Sequence, residues 1–220
     1  MKFVFDVEST GLTKDDEVIQ FSGFLLDDTQ VIKCVVNFYC YTTQPINPDA
    51  FNVHHLDKNF LWQHSVYAGS DTDSDIVIHG LTFEQQFMAC KHIFDLPDIT
   101  FCYYSQTNAD TKLVNQTLQK MGLPPFDFGK VTTNYRDTLQ KGRYSFDVMG
   151  ALLRLGVVDK RQYNLSYATK CMERTFNFKV KKLFDALLKH NNISEVSSYH
   201  NALYDAFCTT VLLLKYNSRM

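Results

Sequence analysis

Long apolar runs are missing from this chain: no segment approaches the roughly 18 uninterrupted apolar residues of a membrane-spanning helix. The amino terminus carries one lysine and then acidic residues, not the basic start and apolar stretch of a secretion signal. Membrane spanning and export are therefore unsupported, and the expectation is a cytoplasmic or otherwise intracellular protein. Cysteine clusters are also absent. Cys34, Cys40, Cys90, Cys102, Cys171 and Cys208 form no Cys-x-x-Cys pair and no set with histidine spacing, so the thiols read as buried and reduced and a zinc site is not expected. Charge of one sign is lacking as well: the net charge is −2 and the pI near 6.4, so the molecule as a whole offers polyanions little attraction. Any nucleic-acid contact has to be local, and the basic stretches around Lys130 to Arg143, Arg154 to Arg161 and Lys170 to Lys182 read first as solvated faces. No internal repeat is present.

What is present is a composition of 45% hydrophobic and 21% charged residues over 220 positions, which fits one globular domain, 1–220, with a sizeable core and excludes disorder. Three strand-like runs open it, Lys2 to Glu8, Glu17 to Leu26 and Gln30 to Tyr41, rich in Val, Ile, Phe and Tyr, with Asp27-Asp28-Thr29 as a hairpin turn. A Pro-rich connector at Gln44 to Pro48 follows, and then an exposed polar loop near 66–81. Thr82 and Gln85 have capping-box spacing ahead of a helix that carries Phe83, Phe87, Cys90 and Phe94. A strand at Ile99 to Tyr104 and a helix at Ala109 to Met121, stopped by Gly122 and Pro124-Pro125, come next. A short strand near Lys130 to Thr133 precedes helices at Phe146 to Leu155, Leu165 to Arg174, Val180 to His190 and Ala202 to Tyr216. The order predicts an α/β domain with a mixed five-stranded sheet flanked by helices.

Two short acidic segments carry the chemistry. Asp6 and Glu8 are i and i+2 on a strand, so both point to one face, roughly 6.6 Å apart, while Phe3, Phe5 and Val7 face the other way into a core. Two carboxylates on a buried strand carry a desolvation cost that cations or tight hydrogen bonds must offset. Ser9-Thr10-Gly11 then permits a tight turn and the close approach of a ligand. Far downstream, His200 and Asp205 share His200-Asn201-Ala202-Leu203-Tyr204-Asp205. Five residues of α-helix rotate a side chain by about 140°, so His200 belongs to the lead-in, with Ser197 or Ser198 as a candidate cap, and Asp205 to the first turns.

Phe5-Asp6-Val7-Glu8-Ser9-Thr10-Gly11-Leu12 resembles the first motif of the DnaQ-like exonucleases of the RNase H-like superfamily. His200-Asn201-Ala202-Leu203-Tyr204-Asp205-Ala206 resembles the third motif of their His-containing DEDDh group. Ile46 to Leu56 is similar to that family's connector after the first hairpin, and Arg136-Asp137-Thr138-Leu139 to its strand and turn after the second motif. For the second-motif aspartate, Asp110 fits best and Asp98 is the alternative. The sequence departs from the pattern in having Gln106 where the family usually has Asn and Ala109 where it usually has an aromatic residue.

The resemblance implies a 3′–5′ exonuclease that uses two Mg²⁺ or Mn²⁺ ions and releases nucleoside 5′-monophosphates from single-stranded or frayed 3′ ends. Hard carboxylate oxygens suit those cations, and a two-ion site serves phosphodiester hydrolysis. By resemblance Asp6 bridges the ions, Glu8 and Asp205 hold the nucleophile-side ion, Asp110 holds the other, and His200 accepts the proton of the attacking water. Ser9, Thr10, Gly11 and Leu12, with His55 of the connector, would contact the terminal nucleotide. DNA is slightly favoured over RNA, and RNA trimming is the alternative. With 15 residues after Asp205, a stand-alone nuclease is preferred to a subunit with a long partner-binding tail; the rival from another class is a catalytically silent nucleic-acid-binding module. Asp71, Asp73 and Asp75 alternate like a calcium loop but lack its glycine and glutamate, and read as a solvated loop.

Overall fold

Alternation along the first strand sets the architecture. In the computed structural model, which describes residues 1–68, 77–105, 108–159, 161, 164–190 and 201–217, β1 (Lys2–Ser9) pairs antiparallel with β2 (Val18–Leu26), and β2 with β3 (Ile32–Tyr39). Two helices of seven residues follow, α1 (Pro48–His54), capped by Asn47, and α2 (Lys58–His64), capped by Asp57. A small hairpin of β4 (Tyr67–Ala68) and β5 (Val77–Ile78) precedes α3 (Phe83–Phe94), whose Thr82–Gln85 capping box forms as expected. Then come β6 (Thr100–Tyr103), α4 (Ala109–Lys120), β7 (Lys130–Thr132), β8 (Tyr144–Asp147), α5 (Val148–Arg154), α6 (Leu165–Phe176), α7 (Val180–His190) and α8 (Ala202–Tyr216).

The main sheet runs β3-β2-β1-β6-β8-β7, antiparallel on the β3 side and parallel from β1 to β7. It has six strands where the sequence predicts five. The extra one is β8: Tyr144–Asp147 is short and runs straight into α5, so its apolar residues merge with the helical pattern that starts at Phe146. Arg136-Asp137-Thr138-Leu139 is likewise a 3₁₀ turn, not a strand, because Asn134 caps it and Asp137 folds back on the hydroxyl of Thr132. The helix α1 was expected only as a connector, and α2 was not expected at all. The polar stretch 69–76 lies outside the described residues, as do Ser197 and Ser198; the cap of α8 is Asn201, whose Oδ1 accepts from the Leu203 amide. All six cysteines are free, three of them buried and Cys34, Cys90 and Cys171 only partly so.

The sheet divides the core in two. Phe3, Phe5 and Val7 point to the side of α3 and α4, where they pack with Phe21, Phe38, Phe83, Phe87, Phe94, Phe101 and Phe128. Rings stack or meet edge-on throughout, Phe5 on Phe21 at 5.5 Å and Phe3 against Phe94 at 5.2 Å. Each fully buried phenyl contributes about 1.5–3 kcal/mol of transfer free energy. Gly23 is needed there, since a Cβ would come within 2.6 Å of the Phe3 ring. Val4, on the opposite face, packs with Phe24, Phe207 and the helices α5 to α8. α8 is buried along nearly its whole length, as expected of a helix apolar on all sides. It lies across β1 and β2, which brings the two acidic motifs to one place.

Candidate active site

Asp6 and Glu8 extend from the α8 face of β1, and Asp205 from one turn inside the amino-terminal end of α8. Their carboxylates offer oxygens that all lie within 4.8 Å of one another. The two ends of the sequence thus meet as the motifs predict. Asp110, the second residue of α4, sits behind β6 and is buried, and its Oδ2 has no hydrogen-bond partner among the described residues. Asp98, the alternative, is excluded as a member of this cluster: it lies at the opposite end of β6, exposed, accepting a hydrogen bond from the Gly142 amide. His200 lies outside the described residues.

The electrostatics follow from four acids in little solvent. Burial pushes the Asp6 carboxyl well above its ordinary value, and Asp110, Asp205 and Glu8 add repulsion. Glu8 is raised to about 8 by burial and then by Asp205 and Asp110. Asp110 is raised to about 7 by burial and by Asp147 and Asp205. Among the described residues no lysine, arginine or histidine forms an ion pair with Asp6, Glu8 or Asp110. Asp6, Glu8 and Asp110, with no such ion pair among the described residues and an orphaned buried oxygen on Asp110, form with Asp205 a donor set that fits hard divalent cations.

Sequence reasoning missed the groups that hold this cluster in place. Gln20 of β2 is fully buried. Its Oε1 accepts from the Ala202 amide at 3.2 Å, and its Nε2 donates to Asn37 at 3.1 Å and to Asn201 at 3.3 Å. The amino terminus of α8, and with it Asp205, is thereby pinned to the central strands. Nothing local in Ile19-Gln20-Phe21 announces this; the signal is one amide among strand-forming apolar residues. Asp147 was also missed. It caps α5 through the Gly150 amide at 3.0 Å, and burial raises it to about 6 against hydrogen bonds from the Gly150, Met149 and Ser105 amides.

The turn after β1 is built around Asp16. Its carboxylate accepts from Thr10 Oγ1 at 2.8 Å, and from the amide and hydroxyl of Thr13 at 2.6 and 2.7 Å. Burial pushes its pKa up, but these bonds and Lys120 prevail and hold it below the ordinary value. A Cβ at Gly11 would stand 2.7 Å from that carboxylate, so glycine is required for the approach. Beside the turn is a cavity of about 440 Å³ bounded by Glu8, Ser9, Gly11, Leu12, Val53 and His54, with Asn47 and Asp49 at its wall. Thr10 is buried, and Leu12, which lines the cavity, is 85% exposed. The histidine in the wall is His54, not His55. His54 Nδ1 accepts from the Leu56 amide at 3.0 Å, so the proton sits on Nε2, which faces the Ser9 carbonyl at 3.2 Å. His55 closes α1 with φ of 59° and turns its exposed ring edge-on to Phe51. Adjacent residues separated by a helix end point apart, and the expectation fell on His55 because the end of α1 between them was not recognised in the sequence.

No protein-family profile matches the chain. Over 131 residues, 59% of its length, it is 24% identical to a DNA polymerase III of PolC type from Ureaplasma parvum serovar 3, of which it covers 8%. In structure it superposes on exonuclease I of E. coli in complex with a dT13 oligonucleotide at a TM-score of 0.67 and 14% identity, covering 99% of this chain and 41% of that one. It superposes on a zinc-ion-bound form of the E. coli exonuclease I–ssDNA complex at 0.69 and 14%, covering 100% and 40%. With a moderately thermophilic exonuclease I from Methylocaldum szegediense the values are 0.65 and 16%, again covering 100% and 40%. The chain therefore spans about two fifths of the length of these exonucleases and a small part of the polymerase. It has the DnaQ-like exonuclease fold, over nearly all of its length. No helix among the described residues is long and apolar enough to cross a membrane.

Proposed function

We propose that this protein is a divalent-cation-dependent 3′–5′ exonuclease that releases nucleoside 5′-monophosphates from single-stranded 3′ ends. The observation that carries the reading is the meeting of Asp6, Glu8 and Asp205 within 4.8 Å, with Asp110 close enough to raise the pKa of both strand acids. Repulsion on this scale has no structural use and disfavours a phosphate unless cations intervene, which speaks against a silent binding module. Asp6, Glu8 and Asp205 would hold one Mg²⁺ or Mn²⁺ and Asp110, with Asp6, a second. Such a pair neutralises phosphate charge and supplies a hydroxide-like nucleophile.

The chain's own groups do the rest. His200 directly precedes the pinned residue Asn201, and its imidazole accepts the proton of the attacking water as the bond from phosphorus to the 3′ oxygen of the neighbouring nucleotide breaks. The turn of Ser9 to Leu12, with Val53 and His54, encloses the terminal nucleoside in a cavity whose size suits a small ligand. Asp49 puts a carboxylate in the wall of that cavity and no lysine or arginine is among the described residues that line it, which favours a terminal hydroxyl over a terminal phosphate and so makes cleavage start at a free 3′ end.

The test is incubation of 5′-labelled DNA and RNA oligonucleotides with Mg²⁺, Mn²⁺ or neither, with Asp6→Ala as control and a 3′-phosphorylated strand for direction. Stepwise shortening that needs the metal, Asp6 and a free 3′ hydroxyl supports the proposal. Retention of oligonucleotide without cleavage under every condition replaces it with the binding module, and the ratio of the DNA and RNA rates decides the sugar, with DNA the expected preference.

A further inference from the structure

The near-neutral total of the chain hides an uneven distribution of charge. Residues 165–190 contain six lysines and arginines and two acids, a net of +4, so the rest of the chain carries −6. This segment forms α6, α7 and the connection between them. Lys170 and Arg174 of α6 are exposed and four apart, opposite the buried Ala168, Thr169 and Met172. Lys182 and Lys189 of α7 are exposed and seven apart, opposite the buried Val180, Phe184 and Leu188. The apolar stripe of each helix therefore packs on the core and the cationic one faces solvent.

Both acids of the segment are already engaged. Glu173 accepts from the Val180 amide at 2.8 Å and from Lys179 at 3.3 Å, and Asp185 pairs with Lys181 at 2.5 Å. Lys170, Arg174, Lys182 and Lys189 form no ion pair among the described residues. Where the two helices meet, Arg174, Lys179 and Lys182, with Asn177 and Phe178, line a cavity of about 520 Å³. Like charges four apart on α6 repel, and lysines in the first turn of α7 oppose the positive end of its dipole. Neither arrangement stabilises the fold, and a bound polyanion relieves both. The cavity lies at the far end of α8 from the carboxylates: Phe176 packs on Tyr216 at 5.5 Å and Lys215 Nζ stands 5.2 Å from the Phe178 ring, whereas Asp205 is about 16 Å of helix away from Tyr216. From there α7 runs back along α8, Phe184 meeting Tyr204 at 4.9 Å, so the row from Lys182 to Lys189 leads toward the end of α8 that carries Asp205.

We propose that this basic face, from Lys170 and Arg174 across the cavity to Lys182 and Lys189, holds the phosphodiester backbone of a nucleic-acid strand at a distance from the end being cut. The inference rests on the nuclease reading and supplies what a chain of net charge −2 with an acidic cleft otherwise lacks, a local attraction for a polyanion. An anionic membrane fits the face less well, because the apolar stripe that would enter lipid is buried, with Phe184 packed on Tyr204 and Phe207 at 4.9 and 5.3 Å. Lysine and arginine contacts to phosphate carry no base identity, so the face grips a strand of any sequence.

The experiment is a titration of a labelled oligothymidylate of about 20 nucleotides, in chelator so that the strand stays intact, read by fluorescence anisotropy over a range of salt. The wild type is compared with Arg174→Gln/Lys182→Gln/Lys189→Gln and with Lys33→Gln/Lys91→Gln/Lys130→Gln, which removes the same charge elsewhere. The first variant should bind at least about tenfold more weakly at about 0.1 M salt, with a slope of log K against log salt shallower by about 2, and the second should bind like the wild type. A first variant equal to the wild type, equal losses in both variants, a wild type that does not bind the strand, or tighter binding to anionic phospholipid vesicles than to the strand overturns the proposal. Should the first variant melt below the wild type, Lys182→Gln/Lys189→Gln decides by the same comparison. Hydrolysis of the p-nitrophenyl ester of thymidine 5′-monophosphate by the wild-type protein reports on the nuclease reading separately; its absence would sink that reading while the anisotropy still decides the basic face.

Discussion

Replacing Asp6 by Asn should make the metal-free protein more stable while abolishing its response to metal. The acids of the cluster have folded-state pKa values above their unfolded ones: Asp6 is raised, Glu8 stands at about 8, Asp110 at about 7 and Asp147 at about 6. For groups shifted in this direction the stability is fully present below the unfolded values, near pH 4, and is lost progressively from there as pH rises to the folded values of about 6 to 8, because over that range the unfolded chain has released protons that the folded one retains. The Glu8 shift alone corresponds to at most about 5 kcal/mol. The acids share one mutual repulsion and Glu8 still meets solvent, so the cluster as a whole costs on the order of 3–5 kcal/mol at pH 8. Removing one charge should return roughly 1–2 kcal/mol, which for a chain of this length raises the melting temperature by about 2–8 °C. Divalent cation at a hundredfold excess over its dissociation constant should add about 2.7 kcal/mol to the wild type and nearly nothing to the variant. Calorimetric melting of both proteins at pH 5 and pH 8, in chelator and in Mg²⁺ or Mn²⁺, measures all of this. A metal-free Asp6→Asn protein that melts below the wild type at pH 8, or a wild type indifferent to metal, would refute the reasoning.

Other consequences are more local. His200→Ala should lower kcat by about 10²–10⁴ while leaving metal-induced stabilisation intact, checked by single-turnover hydrolysis beside melting; a parallel loss of the metal response would show that His200 is not simply the base. Gln20→Ala removes the partner of the Ala202 amide and one hydrogen bond each from Asn37 and Asn201, and should cost about 1–3 kcal/mol in denaturant unfolding, with weaker metal binding as Asp205 loses its anchor. Gly11→Ala drives a methyl to 2.7 Å from the Asp16 carboxylate, and should cost about 1–3 kcal/mol and raise KM more than it lowers kcat.

The fold class was legible in the sequence, and so were the acids that the structure brings together. Asp6 and Glu8 were legible because a period of two puts them on one face against Phe3 and Phe5, and Asp205 because its segment begins a helix bounded by clear apolar spacing. The helices Val180–His190 and Ala202–Tyr216 have the predicted limits, since helices of this length repeat their pattern often enough to show their ends. Tyr144–Asp147 and the short helices Pro48–His54 and Lys58–His64 are too brief to establish any period, so they merged with their neighbours or passed for a connector. Gln20, His54 and Asp147 owe their importance to partners far away in the chain, and no local pattern carries that information. Asp110 required the helix behind β6 to be placed before its burial and orphaned oxygen became visible.

The most direct measurement is Mn²⁺ binding, followed by electron paramagnetic resonance and calorimetry at pH 7.5, in the wild type, Asp6→Asn and Asp205→Asn. Loss of binding in both variants, one altered in the first strand and the other in the last helix, is the expected result. Undiminished Mn²⁺ binding by Asp205→Asn would contradict the claim that the two ends of the chain form one cation site.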